Sequence, residues 1–120
     1  MNDDINQVEL AGRLASDPVM RYTPGGKAVA NARLATNRRS AGPNGTEWHN
    51  LVFWEGLAKT IMAKQLAEGD SLHVRGRLQT RSWEGQDGQK RRTTEVVVEE
   101  LVTTKARASS PPLDEEAPFQ

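Results

Sequence analysis

The chain has 120 residues, 36% of them apolar and none of them cysteine, with 16 basic side chains against 16 acidic ones. That length suits one domain with a modest core, and the lack of cysteine excludes disulfides, thiolate-bound zinc and cysteine nucleophiles, as in a reducing cytoplasm. No run approaches the ~18 apolar residues of a membrane helix, and the polar, acidic stretch Met1 to Gln7 is not expected to be a signal peptide.

Taken in chain order, period-two alternation with turn punctuation recurs over the first hundred residues. Val8, Leu10 and Leu14 mark a first strand ending near Asp17-Pro18, and a short apolar piece follows at Val19 to Tyr22. Thr23-Pro24-Gly25-Gly26 supplies a turn, since proline fixes φ and glycine accepts a positive one. Lys27 to Thr36 reads as a second strand, Asn37 to Thr46 as a polar loop with an Asn44-Gly45 turn signal, and Glu47 to Trp54 as a third strand.

Gly56 to Ala67 changes period: Leu57, Ala58, Ile61, Met62 and Leu66 share a helical face into which Gln65 intrudes, so a short helix with a stop near Gly69 is predicted. Asp70 to Glu84 is a long fourth strand and Lys90 to Val102 a fifth, with Asp87-Gly88 in the hairpin between them. The order β-β-β-α-β-β is that of a mainly β, five-stranded OB-fold barrel with one helix between strands three and four. Residues 1–104 are assigned to this domain. Residues 105–120, rich in Ser, Pro and acids, are assigned to a short disordered tail with an acidic tip.

Strand parity indicates where chemistry lies. In strand three, Trp48, Asn50, Val52 and Trp54 point one way, and His49, Leu51 and Phe53 the other. In strand four, His73, Arg75, Arg77, Gln79, Arg81 and Trp83 share a face opposite Leu72, Val74, Leu78 and Thr80. Any one tryptophan suits a core as well as a surface. Three of them on faces shared with arginine and asparagine suit a different task, the stacking of unpaired nucleobases, which tolerates any sequence because every base has a π-face. Arginines add phosphate contacts or stacking of their own.

The neutral total does not contradict this, because charge is unevenly placed. Six basic residues between Arg75 and Arg92 face only Glu84 and Asp87 in that stretch, while Asp114, Glu115 and Glu116 gather near the C-terminus. No phosphate-cradling loop, nucleophile elbow or carboxylate cluster appears, so no enzyme is expected. His49 and His73 lack ligand spacing, and neither metal nor cofactor is expected.

Several stretches are similar, in order, to the bacterial single-stranded DNA-binding protein family: Asp17-Pro-Val-Met-Arg-Tyr-Thr-Pro24, Ala28-Val-Ala-Asn31, Leu34-Ala-Thr36, Thr46-Glu-Trp-His49, Gly76-Arg-Leu-Gln-Thr-Arg-Ser-Trp83 and Thr93-Thr-Glu-Val-Val-Val98. The resemblance implies a cytoplasmic, nucleoid-associated homotetramer that coats single-stranded DNA in replication, recombination and repair, with no membrane partner. It assigns stacking to Trp48, Trp54 and Trp83, and strand contact to Arg21 and Arg81. His49 falls at a subunit interface of the family. With Arg33, Arg38, Arg39, Arg75 and Arg77 these tryptophans and arginines form the expected DNA-binding set.

The tip Asp114, Glu115, Glu116, Ala117, Pro118 and Phe119 resembles the family's docking segment for replication, recombination and repair proteins. Three departures stand out. Asn37-Arg38-Arg39-Ser40 has no ring where relatives often carry a tryptophan. Glu68 replaces a common basic residue, and Gln120 follows the terminal Pro-Phe. A primosomal accessory OB protein and an OB-type protein adaptor are the alternative readings of the same pattern.

Overall fold

The computed structural model describes residues 3–38 and 45–105. Its elements run β1 (Val8–Leu14), β2 (Val19–Tyr22), β3 (Ala28–Asn37), β4 (Thr46–Trp54), α1 (Gly56–Ala63), β5 (Ser71–Glu84) and β6 (Lys90–Lys105). The strands form one sheet in the order β1-β5-β6-β4-β3-β2, and a further pairing of β1 with β3 closes five of them into a ring. A five-membered ring with a helix between its third and fourth strands is the expected OB arrangement.

The piece at Val19–Tyr22 is a strand in its own right. It takes one half of a β3 edge, with Val19 opposite Asn31 and Tyr22 opposite Ala28, and β1 takes the other half through Arg13 and Leu14. The turn between β2 and β3 is built as its residues dictate: Gly26 holds φ 89° and donates its N–H to the Thr23 carbonyl at 2.8 Å. The β5–β6 hairpin turns similarly, with Gly88 at φ 80° donating to Gly85 at 3.0 Å.

Alternation fills the ring. Ala28, Ala30, Ala32 and Leu34 of β3 point inward with Leu51 and Phe53 of β4, Leu72 and Val74 of β5, and Val96 and Val98 of β6. α1 closes one end by burying Ala58 and Ile61. This apolar burial is the main favourable contribution to folding.

Closing so small a ring forces backbones together at two glycines. A Cβ on Gly12 would stand 2.1 Å from the Ala35 carbonyl oxygen, and one on Gly76 would stand 2.0 Å from that of Val97. Gly12 lies where β1 leaves β5 for β3, and Gly76 beside a register shift between β5 and β6. Only the missing side chain permits these approaches.

Two boundaries differ from the sequence-based expectation. α1 ends at Ala63 instead of Ala67, because Gln65 adopts φ 56°. That left-handed residue takes its polar side chain off the apolar helical face, and Leu66 still packs against the core. β6 continues past Val102 to Lys105 through its pairing with Ser71, Leu72 and His73.

Candidate nucleic-acid interface

The outward residues of β2 to β6 form one continuous face. Register places Val29, Asn31, Arg33 and Ala35 of β3 beside Trp54, Val52, Asn50 and Trp48 of β4. Val97, Glu95, Thr93 and Arg91 of β6 lie beside Arg77, Gln79, Arg81 and Trp83 of β5. Parallel pairing of Val52 with Val97 joins the two halves. The parity expected from sequence holds in β4, where Leu51 and Phe53 are fully buried while Trp48 is 55% and Trp54 39% exposed. In β5 Trp83 is 46% exposed, but Leu78, expected on the opposite side with Leu72 and Val74, is exposed as well.

Each ring has a polar setting. The Arg33 guanidinium lies 5.5 Å from the Trp48 ring centroid and that of Arg91 lies 6.0 Å from Trp83, within cation–π range. The Trp83 indole N–H points at Thr93 Oγ1, 3.4 Å away. Trp54 lines a cleft of about 350 Å³ with Arg21, Tyr22, Asn31, Gln79, Arg81 and Glu95. A second cleft of about 270 Å³, holding Arg33, Asn50 and Thr93, shares Asn31 and Glu95 with the first. The two clefts therefore adjoin at Asn31 and Glu95.

Arg81 donates from Nε and Nη2 to the two Glu95 carboxylate oxygens at 3.0 and 2.9 Å. Those hydrogen bonds and the Glu95 charge raise the guanidinium's pKa above its already high ordinary value. A fork-on-carboxylate pair of this kind is strong and fixed in orientation.

Not every expected basic residue joins the tryptophans. Arg75 sits between Glu9 at 3.5 Å and Glu100 at 3.2 Å, in a cleft lined by Asp4 to Gln7, Glu99 and Glu100. Arg77 lies 3.8 Å from Glu99 and Arg38 3.8 Å from Glu47. Arg91, though over Trp83, also meets Asp87 at 2.8 Å. The local basic excess read from sequence is thus largely met by carboxylates from other strands.

Beside Arg75, His73 Nε2 donates to Glu9. That hydrogen bond, helped by the Arg75 charge, holds the Glu9 carboxyl below the ordinary carboxylate range. His49 is half-buried with Nε2 2.9 Å from Thr36 Oγ1. Arg39 and the tip Asp114 to Phe119 lie outside the described residues.

Sequence reading missed Tyr22, Asn31 and Glu95 as parts of the face. The signal for Glu95 was available: in Thr93-Thr-Glu-Val-Val-Val98 period two sets Thr93, Glu95 and Val97 on the side opposite the core residues Val96 and Val98. Tyr22 carried no such cue, because it reaches the cleft only through the placement of β2.

Among the described residues no group of His, Cys, Asp and Glu is arranged to hold a metal ion, and no helix is long and apolar enough to cross a membrane. A family model described as the single-strand binding protein family matches residues 5–104. A protein of Enterococcus faecalis named single-stranded DNA-binding protein is 44% identical over 109 residues, covering 88% of this chain and 57% of that protein. The chain spans a little over half the length of this curated relative.

Proposed function

We propose, on the premise that this chain belongs to the single-strand binding protein family, that it binds single-stranded DNA without sequence preference and without catalysing a reaction. The observation that carries the reading is the exposure of Trp48, Trp54 and Trp83 on one barrel face whose opposite side fills the core. Rings held partly open to solvent beside Arg33, Arg21, Arg81 and Arg91 offer stacking surfaces. Each is worth roughly 1–3 kcal/mol per base and is indifferent to base identity.

Basic residues at the face, with Arg38, Arg75 and Arg77 at its margins and Arg39 as a further expected contact, supply counterion release, so affinity falls as salt rises. In this reading residues 1–104 form the binding domain of a cytoplasmic homotetramer in which His49 lies at a subunit contact. The protein serves replication, recombination and repair, and the tip Asp114 to Phe119 recruits partner proteins.

A titration with oligo(dT) at low salt, followed by tryptophan emission, tests it. Emission quenched in proportion to bound DNA supports stacking. Unchanged emission with protein in excess of its ligand sinks it. Sedimentation equilibrium tests the assembly, where a stable dimer would favour the primosomal-accessory reading instead.

A further inference from the structure

A buried carboxylate is an odd neighbour for a polyanion. Glu95 lies on the outer face, lines both clefts and has a side chain only 7% exposed. It is offset by Arg81, whose Nε and Nη2 are both committed to it at 3.0 and 2.9 Å. The Arg81 side chain nevertheless remains 51% exposed and lines the cleft beside Trp54.

A DNA phosphate could take over that fork only by stranding Glu95 as an unpaired, buried charge. Breaking a buried pair in this way is strongly unfavourable. A phosphate approaching the remaining N–H groups would meet a guanidinium whose charge Glu95 already neutralises. A base, by contrast, asks only for the guanidinium plane, which the two hydrogen bonds hold in place, and planar stacking on arginine leaves its ion pair intact. Arg33 differs, being set over the Trp48 ring and locked on no carboxylate among the described residues.

We infer that Arg81 and Glu95 act in DNA binding as one neutral unit. Glu95 is a positioning residue that fixes Arg81 as a flat stacking partner beside Trp54, and Arg81 neutralises no phosphate. This rests on the reading that the face binds single-stranded DNA.

The two roles separate in the salt dependence. For single strands each neutralised phosphate contributes about 0.7 to the slope of log affinity against log salt. The test is a set of oligo(dT) fluorescence titrations of the full chain over several salt concentrations. The variants are Glu95→Gln, the double variant Arg81→Gln/Glu95→Gln, which strands no charge, and Arg33→Gln to calibrate the loss of one phosphate contact.

The double variant is expected to bind about tenfold more weakly, the scale of one lost stacking partner, with the wild-type slope. Glu95→Gln, which releases the guanidinium, is expected to steepen the slope by about 0.7. A double variant flatter than wild type by about 0.7 makes Arg81 an ordinary phosphate contact and overturns the inference. A Glu95→Gln protein with unchanged slope also overturns it. A wild type with no salt-sensitive affinity overturns the underlying reading and this one with it, an outcome visible before any variant is compared.

Discussion

Gly12 passes so close to Ala35 that a methyl group on it would stand 2.1 Å from the Ala35 carbonyl oxygen. Ala35 pairs with Arg13, the next residue of β1, in the short β1–β3 seam, and the near atom is backbone, so the contact cannot be relieved by turning a side chain. Gly12→Ala is therefore expected to lower unfolding free energy by at least about 1–3 kcal/mol, the range for forced overpacking. Urea denaturation checks it, with Gly25→Ala as control, because a Cβ there meets nothing nearer than 3.9 Å.

Phe53 and Trp54 are adjacent in sequence and opposite in fate, one fully buried and one half-exposed in the cleft. Phe53→Ala should cost about 3–5 kcal/mol of stability, the usual figure for a deleted core ring. Trp54→Ala should leave a far more stable fold and weaken DNA binding by about 1–3 kcal/mol for oligonucleotides of any composition. Thermal melts and titrations on two unrelated sequences separate the effects. A loss confined to one sequence contradicts stacking.

Gln65 ends α1 in a left-handed conformation, at φ 56°. A side chain there costs roughly 1–2 kcal/mol against glycine, partly offset by the greater freedom glycine has when unfolded. Gln65→Gly is expected to raise stability by up to about 1 kcal/mol, read from the urea midpoint. A fall comparable to glycine in a helix interior would contradict the backbone geometry.

Glu9 faces His73 and Arg75 of β5, and Arg75 also holds Glu100 of β6. Its carboxyl is held below the ordinary value, first by the His73 hydrogen bond. A lowered folded-state pKa contributes stability above the unfolded carboxylate range and loses it as pH falls through the lowered value. The melting temperature of wild type should therefore exceed that of Glu9→Gln near neutrality, and the gap should close on acidification. A gap that widens toward low pH has the wrong sign.

Removing Asp114 to Gln120 should leave oligo(dT) affinity unchanged at fixed salt while reducing capture of replication and repair proteins by the immobilised chain. Equal capture with and without the segment would deprive the acidic tip of its proposed role.

Period-two patterning made the strands legible. Leu51, Phe53, Leu72 and Val74 lie inward as their alternation requires, and the tryptophans lie outward. Gln65 already marked the helix as short. Pairings between distant strands left weaker traces. Nothing local to Arg75 or Arg77 announces Glu9, Glu99 and Glu100, which reach them from β1 and β6. A run of arginines therefore looked more cationic in sequence than it is in space. Gly12 was equally silent, because its need for glycine comes from a carbonyl 23 residues away.

The ring's parallel seam has only two residue pairs, Leu51 with Val96 and Val52 with Val97, yet the two clefts lie across it. A strand seated in them would bridge β4 and β6 from outside, clamping the barrel at one of its two shortest seams. Occupancy would then be recorded in the backbone: amides of Val52, Val96 and Val97 would exchange with solvent more slowly when DNA is bound, making the barrel's breathing a gauge of its load.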